Sequence, residues 1–151
     1  GSTTEKLLNL LALLRFITNH PLNEKRRLAS VCRFISWQIA SRLVPEPVAV
    51  SFVNNSMLLV SPGMTGATGN IYTGLHEFED MSFVLHALRE PDVFVDVGAN
   101  IGSYTILAGA VVGAKCLAFE PILMTYRHLL QNINLNGIGH TVAAAKHRHW
   151  P

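Results

Sequence analysis

Apolar positions along the chain switch between helical and strand periods, and each switch marks a new element. Thr3 or Thr4 suits a helix cap, and Leu7, Leu10, Leu11, Leu14 and Ile17 follow on one helical face. His20-Pro21 interrupts that pattern, and Pro21 suits the first turn of a second helix running to about Leu43. That helix is expected to bury Leu28, Val31, Cys32, Ile35, Ile39 and Leu43, and Pro45-Glu46-Pro47 ends it. Val48–Val53 and Met57–Ser61 read as a β-hairpin, because Asn54-Asn55-Ser56 tolerates the positive φ of a tight turn. A glycine-rich connection through Pro62-Gly63 and Gly66–Asn70 follows, with Ile71-Tyr72 as a short additional strand.

Glu77–Leu88 predicts a helix with Phe78, Met81, Leu85 and Leu88 inward. From Val93 the pattern alternates strictly. Strands at Val93–Val97, Lys115–Phe119 and Thr141–Ala145 are separated by helices at Tyr104–Val112 and Met124–Leu135, and Asn136-Gly137 stops the second helix. Such βαβαβ alternation builds a parallel sheet with right-handed crossovers, so the expected class is α/β. Four segments result: a helical region at 1–47, the hairpin and glycine-rich connection at 48–75, an α/β core at 76–145 and a tail at 146–151.

At 151 residues, with 49% hydrophobic and 15% charged residues, the chain has the length and composition of one globular domain. A formal charge of +2 is too small to argue for nucleic acid or an anionic membrane as partner. Lys25-Arg26-Arg27 reads as a solvated helix end. The apolar run Leu7–Ile17 is too short to cross a bilayer and contains Arg15. Cys32 and Cys116 are expected to be buried thiols of a reducing, cytoplasmic protein. His140, His147 and His149 read as a solvated tail rather than a metal site. Trp37, with Phe34 and Phe52, reads as core.

The chemistry concentrates where the strand Val93–Val97 meets the next helix. Asp96 stands at the carboxyl end of that strand, and Gly98 and Gly102 bracket a turn that leads into Tyr104-Thr105-Ile106. Glycines there let the backbone turn tightly and approach a ligand closely, presenting N–H groups to it. Glu120, with Pro121 behind it, closes the next strand. Two acids at successive strand tips suit a ligand with a cationic group and a ribose: Asp96 for the amino or sulfonium end, Glu120 for both ribose hydroxyls. S-adenosylmethionine answers that description. A dinucleotide fingerprint would need glycine where Asn100 and Ser103 stand, and no Lys-Ser or Lys-Thr follows the turn to make a phosphate loop. His76 and His86 have no acid partner in the sequence, so no catalytic base is identified.

Phe94–Thr105, Ala118-Phe119-Glu120-Pro121 and Asn132-Ile133-Asn134-Leu135-Asn136-Gly137 together resemble the FkbM-type methyltransferase family. Gly74–Asp80 resembles the region that precedes that family's cofactor loop, and the similarity runs from about Ile71 to Gly139. The resemblance implies a partial Rossmann-like class I methyltransferase sheet, S-adenosylmethionine as cofactor, and methyl transfer to an oxygen of a small molecule or sugar. It implies that Asp96, Gly98, Ala99, Asn100, Gly102 and Tyr104 form the cofactor loop. Glu120 and Pro121 then belong to the ribose side, and Glu77 is an acid near the cofactor.

Members of that family continue into further strands carrying the acceptor site, and from His140 onward the sequence resembles a truncated or frame-shifted end. The expectation is therefore a cofactor-binding half, and the alternative is a non-catalytic α/β module that keeps the fold without methyl transfer. Val93–Val97 would be left with a bare apolar edge, to be covered by the hairpin, by the N-terminal helices or by a second copy in a homodimer.

Overall fold

The computed structural model describes residues 3–19, 28, 31, 32, 34–36, 39, 47–61, 75 and 77–146. Helix α1 spans Thr3–Asn19, and a hairpin follows from β1 (Val48–Ser51) and β2 (Met57–Val60). Helix α2 spans Phe78–Ala87 and β3 spans Val93–Val97. Helix α3 runs from Ser103 to Ile106 and continues as a π-helical segment, Leu107–Val112. Strand β4 (Lys115–Phe119), helix α4 (Leu123–Leu135) and β5 (Val142–Ala145) complete the order. The proposed strand at Ile71-Tyr72, Trp37, His76, His147 and His149 lie outside the described residues.

Strands β3, β4 and β5 form a parallel sheet in that order, with Val93 opposite Lys115 and Cys116 opposite Val142. Both crossovers step in the same direction across the sheet, so right-handed connections place α3 and α4 on one face. Phe94, Asp96, Cys116, Ala118, Val142 and Ala144 point into that covered face. Val93, Val95, Val97 and Leu117 alternate with them and face outward, Val97 being 65% exposed. A parallel sheet ordinarily has helices on both faces, so this apolar outer face is unusual.

The hairpin packs on α4 rather than on the bare edge of β3, and the two sheets share no ladder. It ends earlier than the sequence pattern suggests. Phe52 N–H donates to the Ser56 carbonyl and Ser56 N–H to the Val53 carbonyl, turning residues 52–56 out of the ladder. Asn54 takes the expected left-handed conformation, with φ 53°. Leu58 and Val60 face inward to meet Ile17 and Phe34 in a core that continues through Ile106, Ala118, Leu129 and Ile133.

The N-terminal helical expectations need correction. Among the described side chains of α1, Leu13, Leu14 and Ile17 meet the core while Leu11 faces out, and those of Leu7 and Leu10 lie outside the described set. Among the described residues of the second helical region, Phe34 is the buried one. Leu28 is 84% exposed, and Cys32, Ile35 and Ile39 are exposed with it, so Cys32 is not the buried thiol expected. These residues share a stripe at helical spacing, and the core receives the side carrying Phe34 instead. No helix among the described residues is long and apolar enough to cross a membrane.

The expected helix after the loop is present but widens into its π segment. Gly109 lies there against β5. A Cβ on it would come within 3.0 Å of Val142 Cγ2 and 3.1 Å of Ile138 Cδ1. The segment closes with the Ala114 N–H on the Ala108 carbonyl, and Gly113 ends it at φ 84°. Gly102 meets a similar limit at the other end of α3. Its φ is 96°, and a Cβ would lie 2.6 Å from Cδ1 of the fully buried Leu129. Gly102→Ala is therefore expected to destabilise the fold by about 2–3 kcal/mol, from left-handed strain plus overpacking. Urea denaturation checks this; a loss under about 0.5 kcal/mol, within the range of ordinary surface changes, would show that the loop relaxes freely.

Candidate functional site

The loop Gly98–Gly102 hangs from the carboxyl ends of β3 and β4, and its conformation follows from where its amides bond. Gly98 and Ala99 N–H groups both donate to the Phe119 carbonyl, at 2.9 and 3.0 Å. Gly102 N–H turns back to the Ala99 carbonyl at 2.8 Å. Gly98, Asn100 and Gly102 all have positive φ, the region that glycine enters freely and asparagine more readily than most residues. Ala99 and Ile101 are buried and pin the loop to the core, while Asn100 is exposed. A side chain at Gly98 would meet nothing within 4 Å, so this backbone lies open to a ligand.

Glu120 is buried, and its carboxylate folds back on two backbone donors. Oε2 accepts the Asn100 N–H at 2.9 Å and Oε1 accepts the Ile122 N–H at 2.9 Å. The acid thus ties the loop after β3 to the entry of α4, with Pro121 on the exposed connection between them. Each carboxylate oxygen accepts more than one hydrogen bond, so this fixed group retains capacity for hydroxyl donors.

Asp96 is also buried, beside the first turn of α3. Its Oδ2 accepts the Thr105 hydroxyl at 2.6 Å, and the Thr105 backbone amide adds a second bond. Burial pushes the Asp96 carboxyl above its ordinary value of 3.8. The Thr105 bonds oppose that rise and the nearby Glu120 charge adds to it. Asp96 therefore braces the helix N-terminus while placing a second negative group beside Glu120.

Tyr104 extends this acidic surround. Its hydroxyl donates to Glu77 Oε2 at 2.6 Å, joining the start of α2 to the start of α3. Burial raises the phenol pKa well above its ordinary value, as do the Glu77 bond and the charges of Glu77, Asp80 and Asp96. Tyr104 is consequently a hydrogen-bond donor, and the region around it favours positive charge. Cys116, behind Asp96 in the covered face, has its thiol pushed up to about 11 by burial and by the Asp96 charge. It is an inert packing group.

The structure brings together Asp96, Gly98, Ala99, Asn100, Gly102, Tyr104, Glu120 and Pro121, and Tyr104 carries Glu77 to the same end of the sheet. Two participants escaped the sequence reading. Thr105, three residues into the helix, occupies Asp96; its signal was the spacing of a strand-end acid from a helix N-terminus. Asn132 is fully buried on α4 and donates to the Ile101 carbonyl at 2.8 Å. Its signal was a polar residue in the apolar stripe formed with Leu129 and Ile133. Among the described residues no cluster of His, Cys, Asp and Glu is arranged to hold a metal ion.

A cavity of about 400 Å³ lies at the far end of the molecule. The hairpin turn Asn54–Met57, Ala110, Val111, Leu135 and Asn136 line it, so it is separate from the loop.

No protein-family model and no curated protein matches the chain. Solved structures do. TYW2 of Methanocaldococcus jannaschii in complex with AdoMet is 18% identical with a TM-score of 0.54, over 70% of this chain and 45% of that one. A transferase of Pyrococcus horikoshii is 17% identical with a TM-score of 0.53, over 76% and 47%. Trm5 of M. jannaschii in complex with adenosine is 18% identical with a TM-score of 0.52, over 70% and 30%. The chain spans less than half the length of each of these structures. At such identities the likeness speaks to architecture alone, and that architecture is a Rossmann-like α/β fold with a parallel sheet.

Proposed function

We propose that this chain binds S-adenosylmethionine at the carboxyl ends of β3 and β4 and forms the cofactor-binding part of an FkbM-type methyltransferase. The observation that carries this reading is the placement of two buried carboxylates at one open loop, Glu120 on its Asn100 amide and Asp96 on Thr105 in the helix turn that follows it. Glu120 would take the ribose hydroxyls, its carboxylate already oriented by the Asn100 and Ile122 amides. The bare backbone at Gly98 lets the ligand lie against the loop, with Ala99, Asn100 and Gly102 shaping it. Asp96, Glu77 and the Tyr104 hydroxyl would surround the cationic end, where their combined field offsets its positive charge. Pro121 would border the ribose side.

Bound there, the cofactor supplies an electrophilic methyl group on a sulfonium. The contribution of this chain is to hold that group in a fixed orientation, which is a large part of what methyl transfer requires. The acceptor in this reading is an oxygen of a small molecule or sugar. Tyr104 keeps its proton at any ordinary pH, so it serves as a donor and not as the base. Two unpaired cysteines, Cys32 and Cys116, support a reducing, cytoplasmic setting.

A second proposal concerns the edge of β3, which among the described residues pairs only with β4. That edge adjoins the outward row Val93, Val95 and Val97 with Leu117, and together they favour a homodimer that covers them. Light scattering at high concentration is expected to give twice the chain mass, and Val95→Lys is expected to return it to a monomer. A monomeric wild type would overturn the dimer.

Calorimetric titration with S-adenosylmethionine and S-adenosylhomocysteine tests the cofactor reading. Micromolar binding is expected, and Asp96→Asn should weaken it at least tenfold, or about 1.4 kcal/mol. The same substitution should raise stability at neutral pH. Because the folded chain holds the Asp96 proton more tightly than the unfolded chain, native stability falls as pH rises through the raised pKa. The melting-temperature advantage of Asp96→Asn should accordingly grow as pH rises from the acid range, and vanish where the carboxyl is protonated. A folded wild type that gives no heat at millimolar ligand would favour the non-catalytic α/β module instead.

A further inference from the structure

Among the described residues strand β2 meets no strand on the side facing α4. Two asparagines one helical turn apart stand in for one. Asn136 Oδ1 accepts the Met57 N–H at 2.8 Å, and its Nδ2 donates to the Met57 carbonyl at 2.8 Å. Asn132 Oδ1 accepts the Leu59 N–H at 2.7 Å. The match is geometric. Residues four apart on a helix rise by about 6 Å, and alternate residues on a strand by about 6.6 Å, so two helical amides reach two successive outward N–H groups.

The two asparagines then differ. Asn136 spends its remaining donor on its own helix, at the Asn132 carbonyl. Asn132 sends its donor across to the Ile101 carbonyl, 2.8 Å away, in the ligand loop. That carbonyl belongs to the same peptide plane as the Gly102 N–H, which bonds to Ala99. The plane ends at left-handed Gly102, φ 96°, and Ile101 before it follows left-handed Asn100, φ 51°. Rotation of this peptide would redirect the loop, and its two restraints are the Ala99 carbonyl and the Asn132 amide.

We propose that Asn132 is a positioning residue for the ligand loop. Its side-chain NH₂ group locks the Ile101–Gly102 peptide, and its carbonyl oxygen makes the β1–β2 hairpin part of the same support. The functional consequence rests on the cofactor reading above; the structural one does not. Asn132 is fully buried, so loss of its donor leaves the Ile101 carbonyl with no solvent to replace it.

The test compares Asn132→Asp with Asn136→Asp. Each aspartate keeps an acceptor for the β2 amide and loses the donor, so both loosen α4, but only the first touches the loop. Two readouts are needed: S-adenosylhomocysteine affinity by calorimetry, and hydrogen exchange at the Asn100 and Gly102 amides. Asn132→Asp is expected to bind about tenfold more weakly and to exchange faster at both amides. Asn136→Asp should stay within about twofold of wild type, with loop exchange unchanged. If the buried charge prevents Asn132→Asp from folding, Asn132→Ala against Asn136→Ala makes the same comparison. Equal effects of the paired variants on loop exchange, or wild-type exchange in the Asn132 variant, would overturn the proposal. A wild type that binds no cofactor, with loop exchange still raised only by the Asn132 variant, would sink the cofactor reading and leave the positioning role standing.

Discussion

A loop with three left-handed residues in five cannot hold itself, and the rest of this structure is organised around that constraint. Gly98, Asn100 and Gly102 break any regular backbone ladder, so the amides and carbonyls between them must find partners elsewhere. Apart from the Gly102 N–H on the Ala99 carbonyl, they find them in the Phe119 carbonyl at the end of β4, the Glu120 carboxylate beyond it, and the Asn132 side chain on α4. Two of these supports lie at the end of β4 and the third on α4. The loop is shaped by tertiary structure even though its residues are contiguous.

Glu120 serves both the fold and the proposed site. Its carboxylate reaches a loop amide and a helix-entry amide, so the orientation that would suit a ribose is also the one that stabilises the apo fold. Asp96 carries an opposing pair of effects. Thr105 stabilises its charge while burial and Glu120 oppose it, and the balance leaves the carboxyl raised. Two buried carboxyl groups at one end of a sheet are a cost that packing alone would avoid, and a cationic, hydroxyl-bearing ligand would relieve it.

The asymmetry of the sheet has a single origin. Successive right-handed crossovers in one direction put α3 and α4 on the same side, and nothing in this order of strands sends a helix to the other. The outer row of Val93, Val95 and Val97 keeps the apolar character of a strand meant for burial on both faces. The hairpin does not relieve this: it packs on α4, where Asn132 and Asn136 take its β2 edge.

Periodicity and turn chemistry were enough to read the alternation of strands and helices after Val93, the Asn54 turn, the glycines of the loop and the two strand-end acids. These are local properties: a period of two or of about four, a residue that tolerates positive φ, and an acid at a strand tip. The inward side of the N-terminal helices was not legible in the same way. Leu28, Ile35 and Ile39 make as good an apolar stripe as any core helix, yet Phe34 is the one buried among the residues described there. A stripe states that a face is apolar and not which neighbour it meets. The roles of Thr105 and Asn132 were likewise decided only by folding. Asn132 lies 31 positions from Ile101 and 73 from Leu59, and no local pattern encodes a bond that exists only once α4 is laid between the loop and the hairpin.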